Sequence, residues 1–174
     1  MYNSKNDVVG WRSGECEVKD IYVLLVEDNP GDAELTRQAL ASSRLSIDLA
    51  VVDDGEKALQ YLRREGRYGD VTRPDLLLLD LNLPKLSGEE VLRELKTDPE
   101  LRSLPVVILT SSEAETEISR CYAEGANCYV VKPVEFSSFL DAVSAIERFW
   151  FSVASLSRRD SPVAKTRKRG PGRK

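Results

Sequence analysis

The sequence contains no histidine among its 174 residues, which excludes several classes of chemistry at once. A Ser-His-Asp triad, a histidine-based zinc site and a self-phosphorylating histidine all need an imidazole. Cysteine is scarce as well. The three cysteines, Cys16, Cys121 and Cys128, show no metal-binding spacing, so free thiols in a reducing compartment are expected.

The chain also lacks the features of membrane and exported proteins. No apolar run approaches the roughly 20 residues that a membrane span requires. The N-terminus has no charged-then-apolar pattern of the kind that signal peptides show. We therefore expect a cytoplasmic protein. Its length allows one domain with tails rather than two domains, and 41% hydrophobic and 31% charged residues fit a soluble globular protein.

Charge is distributed unevenly along the chain. Residues 157–174 hold eight Lys or Arg and one Asp, a balance of +7, so the remaining residues carry −11 of the formal net charge of −4. We expect residues 1–20 to form a flexible N-terminal arm, residues 21–154 to form the folded domain, and residues 155–174 to form a basic disordered tail.

The domain is organised around one stretch, Pro74-Asp75-Leu76-Leu77-Leu78-Leu79-Asp80-Leu81-Asn82-Leu83-Pro84. A short continuous apolar run bounded by prolines is typical of a strand that is buried on both faces of a parallel sheet. Asp80 would then lie at the carboxyl end of that strand, where open α/β sheets bind ligands. By itself, Asp80 is equally well explained as a residue that closes the strand or caps a turn.

The remaining segments alternate between strand and helix patterns. Strands are predicted at 21–26, 47–52, 105–109 and 127–131, around the central one. Five helices are also predicted. The first begins at Pro30, the second follows Asp53, which has capping-box spacing to Glu56, and the third runs through Val91 to Leu95. The fourth covers 113–124, and the fifth begins near Glu135 and has an aromatic end. Five strands alternating with five helices predict a parallel sheet that is covered on both faces.

The strand ends carry a consistent set of polar residues. Glu27 and Asp28 follow the first strand, Asp80 the third, Thr110 the fourth and Lys132 the fifth. Because parallel strands end at one edge of the sheet, these groups should converge. Clustered carboxylates favour a hard cation such as Mg²⁺, a lysine neutralises a phosphoryl group, and an aspartate can be the phosphoryl-accepting nucleophile. Each residue alone has an ordinary structural explanation as a cap or strand exit.

The chain resembles a response-regulator receiver domain of two-component signalling. The resemblance covers residues 21–150 and lies in four motifs: Val26-Glu27-Asp28-Asn29, Leu79-Asp80-Leu81-Asn82-Leu83-Pro84, Leu109-Thr110-Ser111-Ser112 and Val131-Lys132-Pro133. It implies a flavodoxin-like α/β fold, a doubly wound five-stranded parallel sheet of order 2-1-3-4-5. The acidic pair is Glu-Asp rather than the commoner Asp-Asp, which keeps the charge but reaches further.

The resemblance also implies roles for individual residues. Asp80 would be the phosphoacceptor, Lys132 and Thr110 would contact the phosphoryl group, and Thr110, Ser111 and Tyr129 would form the switch. Mg²⁺ would bind Asp28, Asp80 and the backbone carbonyl of Asn82, with Glu27 assisting through water. The protein would then be a phosphoacceptor switch rather than an enzyme, phosphorylated by a partner histidine kinase.

A narrower resemblance concerns the small regulators that are paired with cyanobacterial and bacterial phytochromes. It lies in the run from Glu27 to Asp32, the loop before Pro74, the stretch from Asp80 to Lys85 and the aromatic end of the last helix. That subgroup lacks an output domain and often dimerises. A phytochrome kinase as partner and a homodimer through the last helix are therefore expected.

Other functions stay open on the residues alone. The basic run over residues 165–174 could bind DNA non-specifically, although a solvated tail is the simpler interpretation and too few residues follow the domain for a helix-turn-helix. A phosphorylation-independent interaction module is disfavoured by the intact Asp80, Thr110 and Lys132 set. A haloacid-dehalogenase-type phosphatase is disfavoured because Asn82 replaces that family's second aspartate.

Overall fold

The structure is a computed structural model that describes residues 20–43 and 45–154. In that part of the chain, five strands alternate with five α-helices. The strands are β1 (Ile21–Val26), β2 (Ile47–Val52), β3 (Leu76–Leu79), β4 (Val106–Thr110) and β5 (Cys128–Val131). The α-helices are α1 (Pro30–Ala41), α2 (Gly55–Arg63), α3 (Gly88–Thr97), α4 (Glu115–Ala123) and α5 (Phe136–Glu147). A 3₁₀ turn (Gly66–Tyr68) precedes β3, and a π-helical segment (Arg148–Val153) continues α5.

The strands form one sheet of order β2-β1-β3-β4-β5, and every adjacent pair is parallel. This arrangement confirms the predicted flavodoxin-like fold. All four residues of β3 are buried, as the continuous leucine run predicts for a central strand. The register places Val26 beside Leu79 and Leu79 beside Ile108, so neighbouring strands end at similar heights.

The hydrophobic core lies on both faces of the sheet. Val23 and Leu25 of β1 pack in a cluster with α1 and the end of α5. Leu24 and Val26, which alternate with them, pack in a second cluster that includes residues of α2, α3 and α4. Two-layer burial of this kind fixes the direction of each strand, and it thereby determines which residues reach the carboxyl edge.

The helix starts follow local capping signals, with one correction. Asn29 caps α1 by accepting hydrogen bonds from the backbone N–H groups of its first turn, and Ser87 forms a reciprocal capping box in α3. For α2, the predicted cap at Asp53 is wrong by one residue. Asp54 has the extended backbone of a cap and its carboxylate accepts from Lys57 N–H at 2.7 Å, because the helix begins at Gly55.

The aromatic end of the last helix divides between core and solvent. Trp150 and Phe151 are partly buried against the cluster that contains Val23 and Leu25. Phe149 and Val153 are 54% and 71% exposed. These four residues therefore do not all face one core.

Some expectations concern parts of the chain beyond this description. The arm up to residue 19, the tail from residue 155, and Cys16 all lie outside the described residues. Among the described residues, Cys121 and Cys128 are free thiols, and burial raises the pKa of Cys121 to about 11. No helix in the described ranges combines the length and apolar character that crossing a bilayer requires.

Two helices begin on glycines that touch the loop following β3. A Cβ on Gly88, the first residue of α3, would lie 2.1 Å from the carbonyl oxygen of Asp80. A Cβ on Gly55, the first residue of α2, would lie 2.1 Å from the carbonyl oxygen of Leu86. Both clashes involve backbone atoms, which cannot move aside cheaply. These two contacts clamp the loop between Asp80 and Gly88.

Gly88→Ala is expected to destabilise the fold by about 1–3 kcal/mol, because the added methyl group must displace backbone at Asp80. The measurement is urea unfolding followed by circular dichroism. Gly69→Ala is the matched control, since its nearest heavy atom lies at 3.6 Å and its backbone is helical. We expect the control to change the free energy of unfolding by less than about 0.5 kcal/mol. Equal stability of the two variants would contradict the clamp.

Candidate functional site

The carboxyl ends of four strands bring the predicted polar residues into one cluster. Lys132, which follows β5, places its Nζ atom 2.6 Å from Asp80 Oδ2 and 2.5 Å from Glu27 Oε2. These partners are 52 and 105 residues away in sequence. The parallel sheet alone accounts for their meeting, since the residues share no local segment. The predicted convergence of Glu27, Asp80 and Lys132 is therefore observed.

Three carboxylates at this edge are close enough to share one cation. Oxygen atoms of Glu27, Asp28 and Asp80 all lie within 4.8 Å of one another. Glu27 and Asp80 are buried and Asp28 is exposed, so the group opens to solvent on one side. Oxygen donors around a partly open position suit a hard divalent ion that retains waters. The three carboxylates therefore fit the expected metal.

The surroundings raise the pKa values of both Glu27 and Lys132, which disfavours the charged form of Glu27 and favours the charged form of Lys132. Burial raises the pKa of Glu27, and the bonds from Lys132 offset this only in part. Burial by itself lowers the pKa of Lys132, but hydrogen bonds to Asp80, Glu27 and Asp32 outweigh it, and the net direction is upward. Lys132 is thus a permanent cation whose side chain is only 8% exposed. It is the buried positive charge that a developing phosphoryl anion would meet.

Asp80 is held by the loop that follows it. The backbone N–H of Asn82 donates to Asp80 Oδ1 at 3.1 Å, while Lys132 occupies Oδ2. The two oxygens of the candidate nucleophile therefore have different partners. Because Gly88 packs against the carbonyl of Asp80, the carboxylate is fixed from the backbone as well as from its tip.

The predicted switch residues lie beside this cluster. Thr110 is fully buried, and its hydroxyl accepts a long hydrogen bond of 3.5 Å from the side-chain amide of Asn82. Ser111 is exposed. The half-buried ring of Tyr129 packs on the cluster of α2, α3 and α4, and its hydroxyl donates to the carbonyl of Ser112 at 3.0 Å. Burial raises the pKa of Tyr129, so this hydroxyl stays protonated.

Asp32 is a site residue that the sequence analysis did not identify. It lies in the first turn of α1, and its Oδ2 accepts from Lys132 Nζ at 3.0 Å. The available signal was its spacing, since it follows Asp28 by four residues at the start of a helix. An acidic residue in the first turn of a helix is usually explained by its interaction with the helix dipole. The sequence therefore gives no reason to expect the contact of Asp32 with Lys132.

A second ion pair behind the site was also missed. Asp54 is buried, and it accepts from Lys85 Nζ at 2.7 Å. Burial alone raises the pKa of Asp54, but the hydrogen bonds from Lys85 and Lys57 outweigh it and lower the pKa. Lys85 has a backbone φ of 66°, so the loop turns sharply there. The pair joins the start of α2 to the loop that carries Asn82.

Known proteins share both the sequence pattern and the fold. Residues 23–144 match the family model described as the response regulator receiver domain. Response regulator Rcp1 of Synechocystis sp. is 40% identical over 134 residues, which cover 77% of this chain and 91% of that protein.

Solved structures give the same result. The crystal structure of the phosphorylated cyanobacterial phytochrome response regulator RcpA is 45% identical, with a TM-score of 0.79 over 80% of this chain and all of that one. The Mn²⁺-bound form of Rcp1 is 38% identical, with a TM-score of 0.77 over 79% of this chain and 99% of that one. With the predicted strand order, the matched residues and the acidic edge all in agreement, this chain belongs to the response regulator receiver domain family.

Proposed function

We propose that this protein is a single-domain response regulator that accepts a phosphoryl group on Asp80 from a histidine kinase. The observation that carries the proposal is the buried Asp80 carboxylate, bonded to Lys132 at 2.6 Å inside a group of three clustered carboxylates. A purely structural ion pair would not need two further carboxylates, whose mutual repulsion destabilises the fold.

The proposed reaction is an in-line displacement at phosphorus. An oxygen of Asp80 forms the new O–P bond while the P–N bond to the donor imidazole breaks, and the departing imidazole takes a proton. Lys132 offsets the charge that develops on the transferring oxygens. This chain has no histidine and cannot supply the donor itself. We propose that its role is that of a phosphoacceptor switch rather than of an enzyme acting on a separate substrate.

Glu27, Asp28 and Asp80, with the carbonyl of Asn82, would hold a divalent cation, which we propose to be Mg²⁺. When bound, it neutralises phosphoryl oxygens and the crowded carboxylates. The donor set is all oxygen, which suits a hard ion and disfavours the softer metals that thiolate or imidazole ligands select. Asp28 is the exposed member and would be the first to meet the entering ion.

Phosphorylation would change the surface beside the site through Thr110 and Tyr129. A phosphoryl group adds a charge of roughly −2 and several strong acceptors. The Thr110 hydroxyl, which accepts a long hydrogen bond from Asn82 in this structure, would donate to the phosphoryl group. Tyr129 would then leave the carbonyl of Ser112 and turn inward. Two arrangements of the α4–β5–α5 surface would follow, and a partner that binds one of them would read the signal.

The relatives favour a phytochrome as the kinase partner. RcpA is described as a cyanobacterial phytochrome response regulator, and this chain is 45% identical to it. We place the exchange in the cytoplasm, because a histidine kinase draws its phosphoryl group from intracellular ATP. We further propose that a second copy of the chain covers the exposed Phe149 and Val153, since neighbouring exposed apolar side chains commonly mark a partner surface.

Labelling with acetyl phosphate tests the phosphoacceptor. We expect Mg²⁺-dependent labelling of the wild type and only background labelling of Asp80→Asn, because the amide cannot act as the nucleophile. Lys132→Ala is expected to slow labelling by about 100-fold through loss of charge stabilisation. Asp141→Asn, an exposed change on α5, is the matched control and should label normally. Labelling that persists in folded Asp80→Asn would refute the assignment, and no labelling of folded wild type would indicate a phosphorylation-independent module.

Thermal unfolding with added metal tests the cation site. Mg²⁺ at 100 times its dissociation constant should stabilise the wild type by about 2.7 kcal/mol, because only the folded state presents the three carboxylates together. Asp28→Asn should remove most of this increase, while Asp141→Asn should retain it. Equal stabilisation of Asp28→Asn and the wild type would place the ion elsewhere.

Sedimentation equilibrium tests the second copy. The wild type should show a concentration-dependent dimer in at least one phosphorylation state, and Phe149→Ser should be a monomer at the same concentrations. Ser137→Ala, an exposed change at the opposite end of α5, serves as the control. Wild type that remains monomeric at high concentration in both states would rule out this interface.

A further inference from the structure

The ammonium group of Lys132 has three carboxylate partners at the site. Its Nζ atom lies 2.5 Å from Glu27 Oε2, 2.6 Å from Asp80 Oδ2 and 3.0 Å from Asp32 Oδ2. A lysine ammonium has three N–H donors, so these acceptors use all of them. The three carboxylates differ in whether they also belong to the proposed metal site.

Two of the three partners also belong to the proposed metal site. Glu27 and Asp80 lie with Asp28 in the group whose oxygens could hold one ion, and Asp32 is not a member of that group. A divalent cation bound there would draw on the same two carboxylates that hold Lys132. It would also bring two positive charges close to the ammonium and repel it. Asp32 would then be the one carboxylate of the three that Lys132 does not share with the metal ion.

The first turn of α1 positions Asp32 for its contact with Lys132. Asn29 caps α1, and its Oδ1 accepts from Gly31 N–H at 2.8 Å and from Asp32 N–H at 3.3 Å, which fixes the backbone of the first turn. The Asp32 side chain is 33% exposed, compared with 2% for Glu27 and 7% for Asp80. It borders an open cleft of about 270 Å³ that Lys132, Ser111 and Phe136 also line. The Asp32 carboxylate is therefore partly open to solvent, whereas those of Glu27 and Asp80 are not.

We propose that Asp32 is a positioning residue that retains Lys132 at the site when the divalent cation is bound. In that state the hydrogen bonds of the ammonium to Glu27 and Asp80 would weaken, and its bond to Asp32 would keep it at the site. The arriving phosphoryl group then finds the ammonium in place. This inference rests on the proposed function, because it assigns a part in the same phosphoryl transfer.

The first test observes Lys132 directly and needs no phosphorylation. In ¹⁵N-labelled protein, the Lys132 ammonium should give a slowly exchanging ¹⁵Nζ–H signal, identified by its loss in Lys132→Ala. Adding Mg²⁺ should leave that signal in the wild type and abolish it in Asp32→Asn through rapid exchange with water. Asp32→Glu, which keeps the charge, should retain it. Retention in Asp32→Asn with Mg²⁺ bound would overturn the proposal.

The second test measures labelling by acetyl phosphate at saturating Mg²⁺. Asp32→Asn should label about two- to fivefold more slowly than the wild type, the rate equivalent of one partly exposed ion pair. In the Lys132→Ala background, the same substitution should have no further effect, because Asp32 acts through the ammonium. Glu34→Gln, an exposed charge removal on the same helix, is the matched control.

The outcomes separate this inference from the proposed function. Wild type that labels normally, with Asp32→Asn equally fast or faster, would overturn the role of Asp32 and leave Asp80 as phosphoacceptor. A slowing by Asp32→Asn that persists undiminished in Lys132→Ala would also overturn it, since the effect would not pass through the ammonium. Absence of labelling in the wild type would contradict the proposed function, while the ammonium signal would still report whether Asp32 holds Lys132.

Discussion

The confinement of several carboxylates to one edge of a parallel sheet is the constraint on which the rest of the site depends. Glu27, Asp28 and Asp80 lie with oxygens within 4.8 Å because β1 and β3 are adjacent and end at similar heights. Their repulsion must be offset by positive charge, and Lys132 provides it from the end of β5. The proposed metal ion and phosphoryl group would be further charges at the same edge. Metal binding and phosphorylation would then be two ways of changing the same local charge balance.

The backbone around Asp80 has to be rigid for that balance to be useful. Gly88 and Gly55 bring two helix starts into contact with the loop after β3, and the Asp54–Lys85 pair ties the same loop to α2. If the Asp80 carboxylate moved by about an ångström, it would lose either its hydrogen bond to Lys132 or its place among the three clustered carboxylates, so the proposed reaction would depend on this positioning. Apolar packing builds the sheet, whereas these few close contacts determine where one side chain points.

The sequence predicts most of this arrangement because most of it follows from periodicity and strand order. The apolar run ending at Asp80 marked the central strand, and the strand ends supplied Glu27, Asp28, Thr110 and Lys132. What the sequence could not predict depends on tertiary distance. Asp32 has the pattern of an ordinary first-turn acid, and only the structure shows Lys132 Nζ 3.0 Å from its carboxylate. The cap of α2 is Asp54 rather than Asp53, because the helix begins at Gly55. Likewise, the sequence does not show which residues at the aromatic end of the last helix face the core.

Most of the buried polar and charged side chains lie at or beside the carboxyl edge of the sheet, which supports a functional interpretation of that edge. Elsewhere the buried residues are overwhelmingly apolar, and the described buried polar or charged side chains are Glu27, Thr36, Asp54, Asp80 and Thr110. Four of these five lie at the site or brace the loop beside it. Burial raises the pKa of Glu27, which means that its charged form is less stable in the folded protein than in water. A fold maintained for stability alone would replace such groups with apolar ones of similar volume. Their concentration at one edge, where the sheet topology also favours ligand binding, is the pattern expected when stability is given up for a reactive site.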